Sequence, residues 1–139
     1  MSDKPMTNWK LLPIVIISVI ALVMLFRYFD KQKEVKLITV KYELNGDAPQ
    51  ASVNFINLHG NMQQFTDITL PWSFTEYIEV PEPRNFYLQL QGSTMEEGSI
   101  QSRIYINNYL AKESFSRGKY VSAIASVLFS SEDEVLQNN

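Results

Sequence analysis

Few side chains in this sequence are of a type that performs catalysis, and their spacing does not help. The one histidine, His59, sits in a His59-Gly60-Asn61 turn, so neither a catalytic triad nor a histidine metal site can be assembled around it. There is no cysteine, which removes thiolate metal sites and disulfides together. Neighbouring carboxylates occur at Glu96-Glu97 and at Glu132, Asp133 and Glu134, in stretches that read as loop and tail, where a charge run is solvated rather than poised for proton transfer. Glu76 with Glu79 or Glu113 would make a carboxylate pair only if folding brought them into one cleft. The five glycines form no phosphate-cradling loop, and no Gly-Lys-Ser/Thr occurs. The sequence predicts no catalytic, cofactor-binding or metal-binding residue.

Recognition is better supplied. Trp72 beside Pro71 is either a residue that fixes a sheet corner or a docking anchor. Tyr77, Tyr87 and Tyr105 fall on outward positions of strand-like runs, interleaved with Gln89, Gln91 and Gln101, and with Trp72 they are the predicted partner-binding residues.

The elements that carry these residues alternate with a period of two. Ile38, Val40, Tyr42 and Leu44 share one face, with Thr39, Lys41 and Glu43 between them, up to the turn at Asn45-Gly46-Asp47. Ser52–Leu58 and Met62–Leu70 flank His59-Gly60-Asn61 as a hairpin. Phe74, Ile78 and Val80 face one way in the next run, after Pro71 breaks the pattern. Phe86, Leu88 and Leu90 form the clearest stripe, and Ile100, Ser102, Ile104 and Ile106 point inward in the run from Ser99. Asn107-Asn108 suits a tight turn, Tyr109–Phe115 could form a short strand, and Val121, Ala123, Ala125, Val127 and Phe129 close the domain in register. The expected fold is all-β: an immunoglobulin-like antiparallel sandwich of about seven strands over residues 37–130, with residues 131–139 as a loose acidic tail.

Ahead of the domain lies an apolar run. From Trp9 to Phe29 the chain has 21 residues, about 31 Å as a helix, close to one hydrocarbon core. Residues 1–8 read as a short tail, 9–29 as a single transmembrane helix and 30–36 as a polar linker. Trp9, Lys10, Arg27 and Tyr28 are the expected anchors at the two interfaces. A cleaved secretory signal is the competitor, but RYFDKQKE after the run offers no small residue for a peptidase, which favours an uncleaved anchor.

Charge is uneven. Residues 1–41 hold seven basic and three acidic side chains, a balance of +4, and residues 42–139 hold five basic and twelve acidic, a balance of −7. An acidic domain is a poor nucleic-acid binder. Two basic residues before the run and five after it leave orientation undecided on charge alone.

The domain resembles the mycobacterial small membrane protein family, MmpS. The resemblance rests on Tyr42–Gly46 (YELNG), Ala51–Phe55, Gly60–Gln64, Leu70-Pro71-Trp72-Ser73 with Thr75, Gly98-Ser99-Ile100, Arg103-Ile104, Ile106-Asn107 and Gly118-Lys119-Tyr120, in family order across about 80 residues. It implies a single N-terminal span, a small extracytoplasmic β-sandwich, and an accessory role beside transporters of the resistance-nodulation-division type. Two family cysteines correspond here to Ser102 and Ser126, both placed by the alternation on inner or near-inner faces, so the staple is missing. Loss of such a bridge costs about 2 to 5 kcal/mol.

The expected function is therefore that of a non-enzymatic accessory or scaffold subunit of a larger inner-membrane complex, its domain extracytoplasmic, its partners integral membrane proteins and the lipid bilayer. A respiratory or other multi-subunit membrane complex is the alternative host. A carrier binding lipid or sugar between its sheets is a further alternative, and it requires an apolar cavity of a few hundred Å³ there.

Overall fold

The computed structural model describes residues 12–30 and 35–133, which divide into two units, the helical segment and the β domain. Helix α1, Leu12–Asp30, has 19 residues with apolar side chains on all sides rather than in one stripe. Among the described residues no helix is long and apolar enough to cross a membrane. The uncharged part of α1, Leu12 to Phe26, is about 22 Å along its axis, against a hydrocarbon core of roughly 30 Å. Trp9 and Lys10, the expected anchors at the near end, lie outside the described residues.

The domain has eight strands: β1 Lys36–Asn45, β2 Ala51–Ile56, β3 Met62–Ile68, β4 Trp72–Val80, β5 Asn85–Thr94, β6 Gly98–Ile106, β7 Tyr109–Gly118 and β8 Val121–Ser130. They form two antiparallel four-stranded sheets, sheet A in the order β4-β1-β6-β7 and sheet B in the order β3-β2-β5-β8. The expected count of about seven falls one short, because β7 is a full ten-residue strand. Its inward positions carry Lys112, Ser114 and Ser116 opposite Ile104, Ser102 and Ile100, so it has no apolar alternation to read. Inward polar residues on a sheet edge discourage pairing with another chain. The immunoglobulin order, ABED facing CFG, is not reproduced either. Periodicity shows that strands exist and not which ones pair; here β4 returns to lie beside β1.

The inner faces meet in one core. Ile38, Val40, Tyr42 and Leu44 of β1 face Val53 and Phe55 of β2 and Leu88 and Leu90 of β5, all essentially without solvent contact. Gly92 of β5 permits a close approach of the sheets: a Cβ there would stand 2.6 Å from Leu44 and 2.7 Å from Ile100 of the opposite sheet. Beside it Ser102, fully buried on β6, donates its hydroxyl to the Ala123 carbonyl at 2.8 Å and accepts the Gly92 N–H at 3.2 Å. One hydroxyl thus joins sheet A to two strands of sheet B with both of its hydrogen-bonding roles satisfied.

Ser126 corrects the expectation for the second family cysteine. It pairs with Gln89 on the outer, exposed face of β8, because the inward set of that strand is Val121, Ala123, Ala125, Val127 and Phe129. The backbone that Ser102 reaches belongs to Ala123, three residues away from Ser126. Ser131, assigned by the sequence to a loose tail, is tied to the domain, and residues 134–139 of that tail lie outside the described residues. Ser131 is buried; its N–H donates to the Arg84 carbonyl, its hydroxyl accepts the Arg84 N–H, and its carbonyl accepts from the Lys36 ammonium.

Ser102→Ala removes the buried hydroxyl that the Gly92 N–H and the Ala123 carbonyl share, and is expected to cost about 1 to 3 kcal/mol in denaturant unfolding. Ser126→Ala, on the exposed face, is expected to change stability by less than about 0.5 kcal/mol.

Candidate functional site

Trp72 lies where the sandwich opens between its edge strands β3 and β4. The Phe55 ring is 5.1 Å from Phe74, 5.8 Å from Trp72, 6.2 Å from Phe65 and 4.8 Å from Tyr42, and Phe65 lies 6.2 Å from Trp72. Trp72 is half-buried, and Leu70, before the cis Leu70-Pro71 bond, packs on the same core; Ser73 faces outward. The motif Leu70-Pro71-Trp72-Ser73 therefore starts β4 and fills the open side. Behind it the Tyr42 hydroxyl lies 3.0 Å from both the Ile56 carbonyl and Glu76 Oε1, and the same carboxylate oxygen accepts the Leu58 N–H at 2.7 Å. Tyr42 and Glu76 belong to sheet A, whereas Ile56 and Leu58 lie at the end of β2, so this group is a second polar tie between the sheets. Burial first, and the Glu76 carboxylate second, push the Tyr42 phenol well above the ordinary tyrosine range.

The outer face of sheet A is aromatic and charged. Tyr77 on β4, Tyr105 on β6 and Phe115 on β7 project from it, Tyr77 being 73% exposed. Between them Lys41 donates to Glu43 at 2.7 Å and lies 5.6 Å from the centre of the Tyr105 ring, while Arg103 reaches Glu43 at 3.6 Å and Glu113 at 3.3 Å. The Lys41 hydrogen bond holds the Glu43 carboxyl below the usual carboxylate range.

The outer face of sheet B is different: every outward position of β2, β5 and β8 is uncharged. Tyr87 stands here, its hydroxyl donating to Gln89 at 2.9 Å. The predicted partner-binding residues therefore do not form one surface. Tyr77 and Tyr105 share the outside of sheet A, Tyr87 is on the outside of sheet B, and Trp72 fills the gap at one edge.

Sheet B also carries a groove of about 660 Å³ that the sequence reading did not find. Ser52, Ser93 and Ser122 form its floor as one lateral row across β2, β5 and β8. A bulge in β3 sets Thr66 and Asp67 together against Ser52, with Asp67 at φ 56°. Glu96 comes from the β5–β6 loop, held by Thr94, whose buried hydroxyl donates to the Gln50 carbonyl and accepts the Glu96 N–H. Tyr120, at φ 55° in the β7–β8 turn and 72% exposed, makes the remaining wall with Met95 and Val121. These residues come from six strands or loops, so no local spacing announces them; a bulky residue at positive φ is invisible before folding.

Other candidates stay apart. Glu76 points inward to Tyr42, Glu79 points outward on the same strand, and Glu113 pairs with Arg103 on β7, so the three carboxylates share no cleft. His59 is exposed, and among the described residues no group of His, Asp or Glu is placed to hold a metal. Between the sheets the centre is filled by core side chains; a cleft of about 270 Å³ lies at one corner, against Ile106, Leu110, Val127 and Phe129. Arg27 and Tyr28 are exposed on α1.

An unfolded tyrosine ionises near pH 10. Tyr42 stays protonated beyond that in the folded domain, so its contribution to stability is intact below pH 10 and is lost as the pH rises above it. In an alkaline titration followed by phenolate absorbance, one tyrosine is expected to ionise only together with unfolding, and Tyr42→Phe is expected to abolish that step.

No curated protein matches the chain. The family described as Mycobacterium membrane protein matches residues 27–132, from the end of α1 through the whole sandwich. That stretch is about three quarters of the sequence and includes both buried polar ties, the aromatic gap and the groove. This chain belongs to the mycobacterial membrane protein family, the MmpS type.

Proposed function

We propose that this protein is a single-pass, membrane-anchored accessory subunit, non-enzymatic, whose β domain sits on the extracytoplasmic side of the inner (cell) membrane and works by contact with an integral membrane partner. The family match over residues 27–132 carries this reading. The apolar sequence supports it, since a helix that is hydrophobic all round belongs either in a protein core or in lipid. In this reading the span takes in the sequence from Trp9, reaches about 31 Å, and lets Lys10 and Arg27 extend to the headgroups. A transporter of the resistance-nodulation-division type is the partner class that the family resemblance implies.

The outer face of sheet A is the contact surface in this proposal. Its exposed Tyr77 and Phe115 and half-buried Tyr105, beside an arginine, have the composition of interface centres rather than of ordinary solvated surface. Anchoring both proteins in one membrane raises their effective concentration, so a modest interface suffices.

The full chain is expected to remain in the membrane fraction through alkaline carbonate extraction, and removal of residues 12–30 is expected to release it. In mild detergent it is expected to co-purify with an integral membrane protein, and the pair Tyr77→Asp and Tyr105→Asp is expected to reduce that recovery by about tenfold or more without unfolding the domain. Recovery of free monomer alone contradicts the proposal.

A further inference from the structure

The two outer faces differ in chemistry, and the neutral one contains a built groove that the partner-contact reading does not use. Its floor is a row of three hydroxyls, Ser52, Ser93 and Ser122, each both donor and acceptor. Its walls bring two carboxylates, Asp67 and Glu96, and an exposed aromatic ring, Tyr120. No basic side chain lines it. The walls are set by structure rather than by floppy chain: the β3 bulge turns out Asp67, and the Thr94 hydroxyl pins the Glu96 backbone to Gln50.

We infer that this groove binds a neutral saccharide, of about two sugar rings, displayed on a glycan or glycolipid. A sugar presents vicinal hydroxyls on its edge and a patch of C–H groups on its face. Vicinal hydroxyls donate in pairs to a carboxylate, a charge-assisted geometry stronger than a neutral one, and their oxygens accept from serine hydroxyls. The C–H face lies on an aromatic ring, the place that Tyr120 offers on the side of its ring away from Lys119, whose ammonium lies 5.2 Å from the ring centre. A volume of about 660 Å³ falls within the roughly 300–1,000 Å³ of small-molecule sites. The surrounding face is uncharged, with Gln64, Asn54, Gln91 and Ile124 as the next lateral row, so amides continue the hydroxyl floor on three strands and an apolar side chain continues it on β8. Anionic ligands are disfavoured, because the two carboxylates of the lining outnumber the one neighbouring ammonium, that of Lys119. The inference stands apart from the partner-contact reading: it concerns the opposite sheet and needs no second protein.

The test uses the full chain in nanodiscs free of sugar detergents. Saturation-transfer NMR is recorded with maltose, cellobiose and lactose at about 10 mM, and the affinity of any binder is then titrated on the sugar's own saturation-transfer signal, a readout that every variant retains. At least one disaccharide is expected to bind, with Tyr120→Ala and the pair Asp67→Ala with Glu96→Ala each weakening it about tenfold or more, and Ser126→Ala, outside the groove, leaving it unchanged. All four positions lie at the surface, and an unchanged unfolding transition confirms that each variant is folded. Absence of transfer from all three sugars overturns the inference, as does binding that ignores the groove variants. Tighter binding of spermidine than of every sugar also overturns it, since the groove is then a cation site.

Discussion

Two sheets without a covalent cross-link are held in register by hydroxyl groups that cross the interior. Ser102 serves Ala123 and Gly92, and Tyr42 with Glu76 serves Ile56 and Leu58. Each bond is worth only about 1 kcal/mol net, which hydrocarbon burial far exceeds, but leaving a buried partner unmade costs more than making it gains. That asymmetry gives the ties their selectivity. A slip of β6 by one residue would place Gln101 or Arg103 where Ser102 meets two backbone groups, and every apolar neighbour on the strand would turn to solvent. Gly92 is the matching half of this arrangement, because any side chain there would push the sheets apart at the point where the serine reaches across.

With the interior fixed in this way, the two outer faces are free to differ, and they do. Sheet A turns out lysine, glutamate, arginine and aromatic rings in paired rows; sheet B turns out serine, asparagine and glutamine together with Tyr87, Ile124 and Leu128, with no charge on β2, β5 or β8. A surface of the first kind suits another protein, whereas hydroxyls and amides around a groove suit a polyhydroxylated ligand. One small domain can then hold a partner on one side and present a recognition groove on the other without the two competing for area.

Much of the core was legible from alternation, because a residue period of two maps directly onto inside and outside. Ile38 to Leu44, Phe86 to Leu90 and the Asn107-Asn108 turn, both residues of which have positive φ, stand where the pattern puts them. β7 was under-read for a physical reason: an edge strand that keeps Lys112 on its inner side sacrifices the signal by which strands are recognised. Ser126 was misplaced because the resemblance fixed a residue type and the alternation of β8, with Ala123 and Ala125 inside, fixes the face. The groove was beyond reach, since Ser52, Ser93 and Ser122 become neighbours only when three strands pair. Tyr77, Tyr87 and Tyr105 were all placed facing outward, and so they are, but outward has two directions in a sandwich.

Amide hydrogen exchange at Gly92 and Leu58 tests the polar ties most directly, because these two N–H groups donate to the Ser102 hydroxyl and the Glu76 carboxylate. If the ties hold the sheets together, both amides exchange in the slowest class, with opening free energies equal to that of global unfolding. Exchange of either amide by a local opening well below the global value, while the centre of β1 stays protected, would contradict the account.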